Sequence, residues 1–363
     1  MREETLRQVA LSLLPGLGPY TIRQLISYCG SATAVFQTSP AKLSAIPGIG
    51  KKTVQVIKSL SNLNQAKAQL KTAAAQGASL QFFTSQDYPD RLKRLEDAPV
   101  MLYSKGKPAY DRRYTLGIVG TRRPTKYGIS AIEKILTNLL PHRPTVVSGL
   151  AYGIDITAHL VALKLNLPTV GVLGSSLDRI YPEAHQGVAQ KMFVQGGLLT
   201  ELKFGTKPEA YHFPARNRII AGLSDALIIV EARKKGGALI TAAYSRLYGK
   251  KCFAIPGALD APASVGCNQL IAAGQAHLLT SGRDLVEHLG WEKNLPKQCS
   301  RSLPPIELQI LEVLEDHPTG VPIDQLCRRT QIPINKMASY LLNLEIKGCI
   351  KAAPGKKFVL VGE

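Results

Sequence analysis

The stretch LGIVGTRRPTKYG, residues 116–128, sets two arginines directly behind a glycine turn. An apolar run, Leu116 to Val119, precedes the turn, as expected of a strand buried on both faces of a parallel sheet. A helical pattern follows it, carried by Ile129, Ile132, Ile135, Leu136 and Leu139. Strand, turn and helix form the first βα unit of a doubly wound fold, whose ligands bind at the carboxyl ends of the strands. Gly120, Thr121, Arg122 and Arg123 therefore join open helix-start N–H groups to two guanidiniums, a pairing suited to phosphate. The dinucleotide fingerprint GxGxxG needs small residues where these arginines stand. The loop suits phosphates of a ligand lying outside the domain.

Three further stretches carry chemistry. In VSGLAYGID, residues 147–155, Ser148 ends a strand, and Gly149 and Gly153 let a ligand approach the backbone. Asp155 and His159, four apart, share a helix face and resemble a catalytic pair or half a metal site. A carboxylate so close to a helix start also satisfies free N–H groups, and no third ligand stands nearby. Helix capping is the cheaper account, so no catalytic or metal-ligating residue is assigned. In FPARNRIIAGLS, residues 213–224, Phe213 stands three residues before Arg216, Asn217 and Arg218, with Lys207, Tyr211 and His212 upstream. An aromatic face beside arginines is what single-stranded nucleic acid needs. The competing arrangement has Phe213 in the core and one arginine paired with Glu201 or Glu231. In KKGGALIT, residues 234–241, Gly236 and Gly237 enter a helix beside bases, another anion cradle. Pro256-Gly257 and Gly266-Cys267-Asn268 shape the same rim.

The elements that must position these residues alternate regularly. Strands are expected at 115–119, 145–148, 169–173, 198–201, 225–231 and 252–255. Helices fall between them at 127–140, 153–165, 183–193, 215–223 and 238–248. This is an α/β domain with a parallel sheet, and it spans 76–293 once two strands, near 80–83 and 100–103, extend its sheet. Residues 1–75 read as helical, with LPGLGP and IPGIGK turns that resemble helix-hairpin-helix motifs, whose backbone meets a DNA phosphate. A polar linker is expected at 294–305. Residues 306–363 read as three helices and a basic two-stranded wing, a winged helix.

Of the 363 residues, 45% are hydrophobic, enough to bury a core, and the formal net charge is +19. That excess favours a polyanionic partner, most often nucleic acid, with an acidic membrane surface as the rival. Six scattered cysteines without metal spacing read as reduced thiols. The amino-terminal apolar run is too short and too amphipathic for a signal peptide, and no apolar stretch approaches a membrane span. A cytoplasmic protein that does not engage membranes is expected.

The ordered series VGTRRPTKYG, VSGLAYGIDITAH, LDRIYPEAH, FPARNRIIAGLS, KKGGALITAA, AIPG and GCNQLI resembles the DNA-processing protein A family (DprA, also called Smf) over nearly the whole chain. The family motif usually reads SGSLIT where this chain has Gly236-Gly237-Ala238-Leu239-Ile240-Thr241. The resemblance implies a helical amino-terminal domain, an extended Rossmann-like domain and a winged-helix tail. It implies a homodimer, joined through the Rossmann-like domain, that protects single-stranded DNA in natural transformation and helps load a RecA-type recombinase. No cofactor and no covalent catalysis are expected. Two rivals remain at this point. One is a nucleotide N-glycosidic hydrolase, disfavoured because residues 235–239 lack the proline and second glycine pair of its PGGxGT loop. The other is a nucleotide-sensing winged-helix transcription regulator.

Overall fold

The computed structural model describes residues 3–59, 62–110, 112–291, 303–317, 320–346, 349–354 and 357–360. Two compact units emerge, residues 1–282 and 283–363. The linker expected at 294–305 lies outside the described residues up to position 302.

The first unit begins with helices α1 (Glu3–Ser12), α2 (Pro19–Cys29), α3 (Ala32–Gln37), α4 (Pro40–Ser44), α5 (Lys51–Lys58) and α6 (Leu63–Ala75). The two glycine hairpins are real turns. Gly16 and Gly48 each take φ of +76°, which L side chains rarely adopt. Leu14, Ile22, Ile46 and Ile49 are buried around them. The helices share one hydrophobic core with Phe82, Tyr103 and Leu198 of the sheet that follows. Gln69 strengthens the junction, accepting the Phe204 N–H at 2.8 Å.

That sheet has nine strands in the order β1-β2-β6-β5-β4-β3-β7-β8-β9. They are β1 (Ala78–Phe82), β2 (Met101–Gly106), β3 (Thr115–Val119), β4 (Thr145–Ser148), β5 (Thr169–Val172), β6 (Gly196–Thr200), β7 (Ala226–Ile229), β8 (Lys251–Ala254) and β9 (His277–Leu278). Strands β6 through β9 run parallel, while β1 and β2 add to the β6 edge antiparallel. Between them lie α7 (Asp90–Lys93), α8 (Lys126–Asn138), α9 (Ile154–Lys164), α10 (Gln186–Gln195), α11 (His212–Leu223), α12 (Gly237–Leu247) and α13 (Val265–Ala272), with α14 (Gly282–Leu289) after β9. The chain starts its parallel part in the middle, at β3, moves out through β4 and β5 to β6, then returns through α11 to β7. The β3–β7 neighbours therefore form the switch point, where a doubly wound sheet opens a crevice at its carboxyl edge. Every residue of β3 is buried, as the run Leu116–Val119 requires.

In the second unit, α15 (Pro305–Glu315), α16 (Ile323–Thr330) and α17 (Ile334–Ile346) enclose Ile310, Leu314, Leu326, Met337, Leu341 and Leu344. A sheet ordered β10-β12-β11 completes the winged helix, from β10 (Val321–Pro322), β11 (Ile350–Ala353) and β12 (Lys357–Leu360). The expected two-stranded wing thus gains a third strand, because Val321 pairs with Phe358. Cys29, Cys252, Cys267 and Cys327 are free thiols. Cys349 is disulfide-bonded, so the reading of all six as reduced does not hold. No helix among the described residues is long and apolar enough to cross a membrane.

Candidate nucleic-acid interface

The crevice is bounded by the loop from β3 into α8. Thr125 caps α8, its hydroxyl accepting the Gly128 N–H at 3.4 Å. Glu231, buried just past the end of β7, holds the same turn from beneath. Its carboxylate accepts the Thr125 N–H at 3.0 Å and the Thr125 hydroxyl at 2.5 Å. Its backbone carbonyl accepts the Thr121 N–H at 2.8 Å. The Thr121 carbonyl in turn accepts the Ile154 N–H at 3.1 Å, joining the β3 and β4 loops. A turn so fastened can hold Arg122 and Arg123 outward, and both are exposed.

Several residues expected to face the ligand instead build the loops. A Cβ on Gly149 would collide with the Arg216 guanidinium, and one on Gly153 (φ +82°) with the backbone of Thr121 and Arg122. A Cβ on Gly120 would stand 2.6 Å from Ile154. At these glycines the space of a side chain is filled by protein. Ser148 is fully buried and donates its hydroxyl to the Ile118 carbonyl at 2.6 Å.

Arg216 and Arg218, expected on phosphates, are committed to the interior. Arg216 donates to the carbonyls of Gly149 and Val172, at the ends of β4 and β5, and to Asn217 Oδ1 at 3.2 Å. Its counter-charge is Asp155. Burial pushes the Asp155 carboxyl up, opposed by Arg216 and by the N–H groups of Ala151 and Gly149. Asn217 reaches the Gly237 carbonyl at 3.3 Å. Arg218 pairs with Glu201 and donates to the Asp97 carbonyl. The Arg218–Glu201 pair is the one the competing arrangement offered, while helical phase turns Arg216 inward. Arg216 lies three and four residues before Ile219 and Ile220 and shares their buried face.

His159 is fully buried and donates Nδ1–H to Thr169 Oγ1 at 2.7 Å, because that hydroxyl is already donated to the Val146 carbonyl. Burial drives its pKa down to about 3, so the imidazole stays neutral. No group of three or more metal-ligating residues occurs among the described residues.

What remains at the crevice is a coherent set. Phe213 is half-buried at the start of α11, with the Arg122 guanidinium 5.9 Å from its ring centroid. Gly174, just past β5, leaves room for that ring, since a Cβ there would meet it at 2.6 Å. Tyr181, from the β5–α10 connection, packs at 5.6 Å on the same ring. Lys207, Lys234, Lys235, Gly236 and Gly237 are exposed, and nothing stands within 4 Å of a Cβ placed on Gly236. The arrangement offers one aromatic face, an exposed cation above it and open backbone N–H groups at the α12 start. It can stack a base and hold phosphates without reading an edge pattern. Tyr181 escaped the sequence reading, although its place in LDRIYPEAH puts an aromatic in a rim loop.

Comparison with known proteins covers nearly the full length. The sequence model described as DNA recombination-mediator protein A matches residues 79–290. That of a DprA winged-helix domain matches 295–356, and that of a SAM-like helix-hairpin-helix tandem matches 9–59. Protein Smf of Synechocystis is 33% identical over 96% of this chain and 97% of its own. DNA processing protein DprA of Bacillus subtilis is 38% identical, covering 59% of this chain and 72% of its own. Among solved structures, DprA of Streptococcus pneumoniae superposes with a TM-score of 0.68 at 31% identity, over 78% of this chain and 97% of its own. DNA processing protein A of Helicobacter pylori, described for its single-stranded DNA binding mode, gives 0.54 at 31% identity over 59% and 96%.

Proposed function

The chain belongs to the DNA recombination-mediator protein A family, and from that premise we propose that it binds single-stranded DNA across the carboxyl edge of its large sheet. The observation that carries the reading is Arg122 poised over the half-buried Phe213 ring at the switch point. A base face and a phosphate-holding cation in one place serve any sequence, which a recombination mediator requires. The formal charge of +19 draws a polyanion to the whole molecule. The likeness to the Helicobacter pylori protein, whose structure is described with its single-strand binding mode, supports the same ligand.

In this reading Arg122, Arg123 and Lys207 hold phosphates, Phe213 stacks one base, and Gly236 and Gly237 present backbone N–H groups. Gly120, Thr121, Ser148, Gly149, Gly153, Arg216, Asn217 and Arg218 keep that surface in shape. The protein covers incoming strands in natural transformation, works in the cytoplasm as a homodimer through its Rossmann-like domain, and helps load a RecA-type recombinase. It performs no covalent chemistry on the strand.

Arg122→Ala tests the assignment. The side chain is exposed, so melting should not change. Single-strand affinity should fall about fivefold, in keeping with roughly 1 kcal/mol for an exposed ionic interaction. The slope of log K against log salt should shrink by about 0.7 for each phosphate no longer held. A folded variant with unaltered affinity and slope would remove Arg122 from the interface.

A further inference from the structure

A groove of about 760 Å3 opens beside the Phe213 site, within the range of roughly 300–1,000 Å3 that ligand sites occupy. The two are continuous, because Tyr181 lines the groove and also packs on the Phe213 ring. Tyr152 lines the groove too, from the β4–α9 loop whose Gly153 rests on the Arg122 backbone. Its ring meets His185 edge-on at 4.8 Å, and His185 is itself fixed by donating Nδ1–H to the Leu150 carbonyl at 2.7 Å. Tyr152 and Tyr181 are nevertheless about half exposed, at 50% and 47%. Exposed aromatics held in place are costly to leave facing water and useful for stacking.

The remaining lining is polar and carries charges of both signs. Lys105 stands 5.2 Å over the Phe193 ring, and Arg179 is exposed at the rim. Two carboxylates, Asp178 and Glu183, balance the two cations in number, and Asp178 is turned to the Gly205 N–H, which it accepts at 3.1 Å. Gln186 and Gln190, four apart on α10, also line the groove, and amides both donate and accept, so they meet the edge of any base.

We propose that this groove is a second strand subsite, holding a nucleotide adjacent to the one seated on Phe213. Its base lies against Tyr152 and Tyr181, and its phosphate faces Lys105 and Arg179. The assignment rests on the single-strand reading given above and extends the binding path from the β3–β7 switch point toward β6 and β2.

Oligothymidylates of increasing length, titrated against the full chain, test it. Strands long enough to enter the groove should bind more tightly than shorter ones. The Tyr152→Ala/Arg179→Ala double variant should lose that gain, about fivefold, while binding the shortest strands as before. Tyr152→Phe, which keeps the ring, should retain the gain. A 2-aminopurine placed at the added position should report a changed stacking environment in the wild type and not in the double variant. A gain that survives the double substitution, or a wild type with no gain, overturns the groove assignment. So does an equal loss at every length, because the residues would then be acting at the Phe213 site. Arg122→Ala distinguishes the two readings. It lowers affinity at every length if the Phe213 site binds the strand, and if it leaves all lengths unaltered the primary reading fails.

Discussion

Arg216→Ala should lower the stability of the protein by about 3–5 kcal/mol, the range for truncating a buried charged side chain whose hydrogen-bond acceptors and opposing charge stay behind. The guanidinium is 5% exposed and ties the ends of two adjacent strands together through the Gly149 and Val172 carbonyls. Without it Asp155 is left buried with its charge uncompensated, and two carbonyls lose their donor. Denaturant unfolding measures the effect as a lower midpoint. The pH dependence has a definite sign. Burial already raises the Asp155 carboxyl above its ordinary value, so the folded state holds its proton more tightly than the unfolded state does. Removing Arg216 takes away the charge that opposes this. The deficit should therefore shrink as pH falls into the range where Asp155 is protonated, and grow as pH rises through it. A variant as stable as the wild type would mean that the guanidinium does not brace the crevice.

Phe213→Ala should weaken single-strand binding by about 1–3 kcal/mol, a factor of roughly 5 to 150. The salt slope should barely move, because the ring holds no phosphate. The ring also packs on Tyr181 and fills the space above Gly174. Because the ring is only half-buried, its truncation should cost less stability than the roughly 3–5 kcal/mol typical of a fully buried phenylalanine. Affinity, slope and melting measured together separate the roles. A large melting loss with unchanged affinity of the folded variant would strike the ring from the interface.

The sheet was legible because its strands are short apolar runs closed by glycine or polar turns. Residues 145–148 and 115–119 fall where those runs lie, since burial on both faces leaves little choice of residue. The β1-β2 extension followed from the same signal, but its antiparallel sense did not. Side-chain direction at the site was harder to see. In Phe213-Pro214-Ala215-Arg216-Asn217-Arg218 the basic residues look alike as a string, yet each has its own partners: Gly149 and Val172 for Arg216, Glu201 and Asp97 for Arg218. Those partners lie up to 121 residues away, so nothing local marks them. The phase of Arg216 with Ile219 and Ile220 was the available clue, outweighed by the attraction of a positive cluster. Gly149 and Gly153 posed the same problem. Glycine announces a close approach, but only the fold tells that the approaching body is Arg216 in one case and the Arg122 backbone in the other.

The most direct measurement of the central claim is a salt-titrated binding comparison between a single strand and its duplex on the full chain. The crevice offers a base-stacking face and backbone cradles at a sheet edge, with no element there shaped to enter a groove. Single strand should therefore bind more tightly than duplex at every salt concentration. Log K should fall linearly with log salt, with a slope of about −0.7 for each phosphate held, and the affinity should change little with base sequence. Duplex bound as tightly as its single strand across the salt range, or binding that hardly responds to salt, would contradict the account.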